Sequence, residues 1–169
     1  MFEIDLLTVL APGEVIRKEA VAALQEQGEV IVHHHFAPGR RHRPESRVQT
    51  IARARNVVKA QGDAPLAMFL DRDVILPPGA LHALATALSA DASYGALGID
   101  YGPLQTSRTP HVAMGAVMFP RKALDRVTFR AEPGRCECQC CCDDLRALGF
   151  KVEYLPGYRA GHLKLPLPF

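Results

Sequence analysis

Nowhere in its 169 residues does the chain carry the run of about twenty apolar side chains that a bilayer-crossing helix needs. The first residues also lack the basic stretch followed by an apolar one that marks a secretory leader. The expectation is therefore a soluble, cytoplasmic protein with no membrane span. Net charge is nearly absent, at +2. Basic residues do gather between Arg40 and Arg55, including Arg40, Arg41 and Arg43. No aromatic side chains interleave them as in nucleic-acid surfaces, so no nucleic-acid partner is expected; the cluster could meet the phosphates of a nucleotide or form a solvated loop. Internal repeats, low-complexity tracts and linkers are missing too. Cysteine is confined to Cys136, Cys138, Cys140, Cys141 and Cys142. These are odd in number and too closely packed to staple distant parts of a fold, which fits a reducing compartment.

What is present describes an ordinary globular protein, 48% hydrophobic and 22% charged. The length suits one domain with a real core. An apolar segment at 4–10 predicts a strand, 14–27 a helix stopped by Gly28, and 30–35 a second strand. Ser46 with Gln49 three residues on forms a capping box, opening a helix whose apolar stripe is Val48, Ile51, Ala52 and Val58 and which closes at Gly62. A strand at 66–70 follows, then a helix in which Leu81, Leu84, Ala85 and Leu88 recur at helical spacing. Three βα units in succession imply an α/β fold, a parallel sheet with helices on its faces. Beyond Ala90 the pattern predicts a short strand at 95–99, a polar loop at 100–110 and a strand at 111–119. A short helix at 120–126, a longer one at 136–148 and a last strand at 151–155 complete it.

The third strand ends abruptly in Asp71-Arg72-Asp73, and open α/β sheets bind ligands beyond the carboxyl ends of their strands. If the chain stays extended there, residues two apart project to one side. Both carboxylates would then face one hard cation, Mn2+ or Mg2+, that completes its shell with substrate phosphates. An Asp-x-Asp pair can equally cap a helix or solvate a turn. Here Pro77-Pro78-Gly79 already marks the turn and helix start, leaving the aspartates without a capping task.

From Ala54 onward the order of features resembles the family 2 glycosyltransferases, nucleotide-sugar enzymes with a GT-A fold. The matching pieces are Ala54-Arg55-Asn56, then Phe69-Leu70-Asp71-Arg72-Asp73, then the segment from Leu76 to Leu81. Met114-Gly115 through Leu124 looks like the family's glycine-containing strand and following helix; Glu137 to Gly149 and Ala160-Gly161-His162 resemble its catalytic helix and late histidine. The resemblance implies a single GT-A-like domain over 1–169, with a mostly parallel sheet flanked by helices. Residues 1–90 would be the nucleotide-binding half and 91–169 the acceptor and catalytic half. It further implies a hexosyltransferase-like activity: a sugar moved from a nucleotide-diphosphate donor to an acceptor, with inversion. Pro12, Arg55, Asn56 and Asp71 would contact the donor. Asp71 and Asp73, as a DXD motif, and His162 would hold the metal, and Glu137 would be the catalytic base.

The chain departs from that family at two places. Family members usually end the second strand with an acid that contacts the base, whereas this one reads His33-His34-His35-Phe36. His33 and His35 share a strand face and so could share a metal. In the catalytic helix Cys138 stands where the family has the aspartate usually taken as base, leaving Glu137 to serve. This opens the alternative of a noncatalytic GT-A-like module that binds a nucleotide or a partner. The cysteine-rich helix has readings of its own. Cys138, Cys141, Cys142, Leu145 and Leu148 fall on one face as a buried stripe. Cys136 and Cys140, one turn apart, could bind zinc with ligands from elsewhere, and Cys136 and Cys138 near the helix start could serve redox chemistry as thiolates.

Overall fold

In a computed structural model, which describes residues 1–39, 45–101 and 111–163, a central six-stranded sheet runs in the order β2-β1-β3-β6-β5-β7. Its strands are β1 (Phe2–Leu10), β2 (Val30–Pro38), β3 (Leu66–Leu70), β5 (Tyr94–Asp100), β6 (Ala116–Pro120) and β7 (Lys151–Arg159). β1 runs parallel to both β2 and β3, and β5 parallel to β7, while β6 is antiparallel to β3 and β5. The sheet is thus parallel in its first half and reverses at β6. Two short strands, β4 (Val74–Ile75) and β8 (Gly161–His162), pair antiparallel beside it.

Strand alternation sorts the core into two layers. Leu7, Ala67, Phe69, Val117 and Phe119 face one side. There they meet Ala52 and Val58 of α2 (Arg47–Lys59), Ala123 and Leu124 of α4 (Arg121–Leu124), and Cys141, Cys142 and Leu145 of α5 (Glu137–Ala147). Ile4, Leu6, Met68, Leu70 and Met118 face the other, against Leu81, Leu84, Ala85 and Leu88 of α3 (Ala80–Ala90). Each leucine buried this way contributes about 1.5–3 kcal/mol. The capping box is formed as expected, Gln49 N donating to Ser46 Oγ at 3.2 Å and Ser46 N to Gln49 Oε1 at 2.8 Å.

Several boundaries differ from the sequence reading. The first helix, α1, is only Lys18–Leu24; Pro12-Gly13 breaks the chain ahead of it, and Arg17 N donates to Arg72 O at 3.0 Å, tying this loop to the Asp71–Asp73 turn. β6 starts at Ala116, and residues 111–115 approach it as irregular chain. The cysteine stripe forms at Cys138, Cys141, Cys142 and Leu145, which join one core cluster, but not at Leu148. Cys140, Cys141 and Cys142 are fully buried, Cys138 is half-buried, and Leu148 is 38% exposed. Among the described residues the group of metal-capable donors that includes Cys136 holds Glu137 and Cys138, not the fully buried Cys140. His33 and His35 share no ligand either: His33 faces Glu3 at 2.9 Å and His35 faces Asp5 at 2.8 Å, each on β1. The basic residues Arg40, Arg41 and Arg43 lie outside the described residues.

Candidate metal and nucleotide site

Parallel β1 and β3 deliver their carboxyl ends to the same rim of the sheet, and antiparallel β6 begins there, with Ala116 opposite Leu70. Immediately past this rim the chain does not stay extended. Val74 N donates to Asp71 O at 3.1 Å, closing a turn through Arg72 and Asp73. Asp71 and Asp73 nonetheless line one cavity of about 540 Å³ together with Ala11, Glu14, Arg47, Thr50, Arg55 and Arg72. The Asp71 side chain is 40% exposed to it. The β4–β8 pairing sets His162 beside Asp73, Nε2 to Oδ2 at 3.5 Å, and the His162 ring meets Tyr101 edge to face with centroids 5.5 Å apart.

Behind the carboxylates lies Arg55, buried in α2. Its Nη2 reaches Asp71 Oδ1 at 3.5 Å, its Nη1 donates to Met114 O at 3.2 Å, and Nε lies 3.6 Å from Glu137 Oε1. The guanidinium also sits over the Phe69 ring, 4.9 Å from its centroid. Burial opposes its charge, but Asp71, Cys138 and Glu137 outweigh that and hold its pKa above the ordinary value. Arg55 Nε is nevertheless buried without a hydrogen-bond partner among the described residues. Burial, then Asp71, raises the Tyr101 hydroxyl well above its usual pKa, so it remains a neutral donor; its oxygen accepts from Gly115 N at 2.9 Å. A side chain at Gly115 would collide with that hydroxyl and come within 2.6 Å of Asp71 Oδ2.

The remaining predicted residues divide. Glu137, the first residue of α5, is buried against Arg55 and does not line the cavity. Pro12 is exposed on the loop between two lining residues, Ala11 and Glu14. Asn56 points elsewhere: its Nδ2 donates to Phe129 O at 2.7 Å and its Oδ1 accepts from Phe129 N at 2.9 Å. Its amide is therefore taken up in joining α2 to the segment before α5. Asp71, Asp73 and His162 converge without clustering tightly; among the described residues the three donors that lie within 4.8 Å of one another are Cys136, Glu137 and Cys138. Sequence reasoning missed Glu14 and Arg47. Glu14 Oε1 lies 3.1 Å from Arg72 Nε, and its Oε2 accepts from Ala11 N at 2.8 Å, so this loop brings an acid into the cavity although β2 carries none at its end. Its only signal is the short-range spacing to Ala11.

A parallel half-sheet, a reversal at β6 and a carboxylate-lined cleft at the rim between them define the GT-A fold of nucleotide-sugar transferases. Solved structures bear this out. The mannosyltransferase PcManGT from Pyrobaculum calidifontis, in complex with GDP-Man and Mn2+, superposes over 97% of this chain with a TM-score of 0.72 at 14% identity. The S. aureus protein TarS, in complex with UDP-GlcNAc, covers 96% of the chain with a TM-score of 0.61 at 14% identity. Glucosyl-3-phosphoglycerate synthase from Mycobacterium tuberculosis, with Mn2+, UDP and phosphoglyceric acid, covers 98% with a TM-score of 0.59 at 14% identity. The chain spans 57%, 59% and 72% of these three solved chains respectively, the second being TarS 1–349, and 37% of a longer TarS chain. No family model matches the sequence, and comparison with curated protein sequences found no match.

Proposed function

We propose that the protein binds a nucleotide-diphosphate sugar at the β3 rim and transfers its sugar, with inversion, to an acceptor hydroxyl. The observation that supports this best is that Asp71 and Asp73 open onto one cavity in a GT-A fold, with His162 next to Asp73. Two carboxylates and an imidazole are a donor set that fits Mn2+, and less closely Mg2+, and similar structures carry Mn2+ with nucleotides. Asp71, Asp73 and His162 would hold the ion. When bound, it neutralises charge on the leaving diphosphate. Arg47 and Arg72 supply further positive charge at the cavity wall, and Glu14 is available to a base or ribose hydroxyl. Glu137 would accept the acceptor's proton, which requires it to come within hydrogen-bond reach in the complex. Arg55, 3.5 Å from Asp71 and 3.6 Å from Glu137, would couple that carboxylate to the donor side.

Calorimetry with UDP and GDP in the presence of Mn2+ tests this. Wild type binds one nucleotide and Asp73→Ala loses metal-dependent binding with the fold intact; unchanged affinity in that variant would sink the assignment. A second reading is binding without turnover, favoured by the burial of Glu137 against Arg55 and by Cys138 in the family's aspartate position. Donor hydrolysis or transfer by the purified protein, lost in Glu137→Gln, separates the two.

A further inference from the structure

The amino end of α5 carries a second cluster of metal-binding atoms, of which the transferase reading uses only Glu137. Cys136 precedes the helix and its thiol accepts from Gln139 N at 3.4 Å; Glu137 and Cys138 are the next two residues. Their ligand atoms all lie within 4.8 Å of one another. A fourth donor comes from the irregular chain ahead of β6: His111 Nε2 is 3.6 Å from Cys136 Sγ. Cys138 Sγ lies 3.5 Å from Glu137 Oε1. Val112 and Met114 anchor that chain in the same core as Cys141 and Cys142, so His111 is carried to the cysteines by packing. We propose that Cys136, Cys138 and His111, with Glu137 as oxygen donor, form a site for a thiophilic divalent cation of the Zn2+ type.

Coordination geometry supports this. With Zn–S near 2.3 Å and Zn–N or Zn–O near 2.1 Å, a tetrahedral site sets sulfur and its nitrogen or oxygen neighbour about 3.6 Å apart. The two sulfur contacts, at 3.6 and 3.5 Å, match two such edges, while His111, outside the group whose donors all lie within 4.8 Å of one another, would have to close on Cys138 and Glu137 to complete the tetrahedron. Softness sorts the cations: thiolate and imidazole favour Zn2+, whereas the oxygen-rich β3 rim favours Mn2+ or Mg2+. Access is open at Cys136, which is partly buried and lines a second cavity, of about 520 Å³; Cys138 packs behind it against the core. A cation held there would also engage Glu137 and draw it from Arg55. The site itself stands whether or not the protein transfers sugar.

The reduced full chain, titrated with Zn2+ against a chromophoric chelator, should take up one equivalent. Cys136→Ser and Cys138→Ser should each weaken uptake by more than the about tenfold typical of outer-shell changes, while Asp73→Ala binds Zn2+ like wild type. Alkylation with iodoacetamide, read by peptide mapping, tests the wild-type chain without relying on variants that fold. Zn2+ should shield Cys136 and Cys138. Failure to shield either cysteine, or Zn2+ uptake that Asp73→Ala removes, overturns the proposal. Loss of nucleotide binding with Zn2+ uptake intact would strike the transferase reading alone.

Discussion

An aspartate and an arginine meet at each end of the β3–β6 pair, and the two meetings are built differently. At the Leu66 end, Asp5 is 2% exposed and accepts from Arg121 Nη2 at 2.5 Å, from Ala64 N at 2.9 Å and from a ring nitrogen of His35 at 2.8 Å. Arg121 in turn donates to Lys59 O at 3.0 Å and Ala64 O at 3.3 Å. At the Leu70 end, Asp71 is 40% exposed and its arginine stands 3.5 Å away with one buried N–H unpartnered. A structural ion pair in the interior saturates its hydrogen-bonding capacity, since an unpaired charge there is costly. The open pair is longer and more exposed, and its unpartnered Nε faces Glu137 at 3.6 Å. Glycine serves both ends: any Cβ at Gly62 would overlap the Asp5 carboxylate, and one at Gly115 would crowd Tyr101 and Asp71.

The contrast is broken most severely at the closed end. Asp5→Asn removes the buried charge that compensates Arg121, which is 13% exposed and has only the exposed Asp125, 3.9 Å away, as a second acid among the described residues. Loss of one partner from a buried pair costs about 3–5 kcal/mol. Urea unfolding should show a midpoint lowered accordingly. A loss below about 1 kcal/mol, the range of exposed pairs, would mean that water reaches Arg121 and that the two ends are alike. Gly115→Ala comes next. Overpacking against the Tyr101 hydroxyl costs about 1–3 kcal/mol, and by displacing Asp71 it should also lower Mn2+-dependent nucleotide affinity. Intact affinity with reduced stability would show that the rim tolerates the shift.

How far these two ends could be read from sequence depends on the range of the interactions. The βα alternation, the Ser46 capping box and the Asp71-Arg72-Asp73 motif were legible because each is written in residues a few positions apart. Partners distant in the chain were not. Nothing near Asn56 in sequence reveals that its amide closes on Phe129, 73 residues on, and nothing near Asp5 points to Arg121, 116 residues away. The His33 and His35 pairings likewise follow from strand neighbours on β1. The cysteine stripe, by contrast, was legible, since helical periodicity is local: Cys138, Cys141, Cys142 and Leu145 join one core cluster. That periodicity did not reveal that Cys140 is buried as well while Leu148 stays 38% exposed, because the packing of α5 on the sheet sets how far the buried face extends.

The smallest expected effect on stability lies at Asp71 itself. More than a third of its side chain is in solvent and its contact to Arg55 is long, so screening leaves the pair worth less than about 1 kcal/mol. Arg55 keeps Glu137 at 3.6 Å and Met114 O at 3.2 Å when the charge is removed, so no buried cation is stranded. Asp71→Asn should therefore unfold within about 1 kcal/mol of wild type while its affinity for UDP or GDP with Mn2+ falls sharply. A side chain that contributes little to holding the fold, yet much to holding a diphosphate, has the signature of a site. If Asp71→Asn instead destabilises the protein as much as Asp5→Asn and leaves nucleotide affinity unchanged, then Asp71 is a structural counterion to Arg55, the open end is only a looser copy of the closed one, and the ligand site must be sought elsewhere.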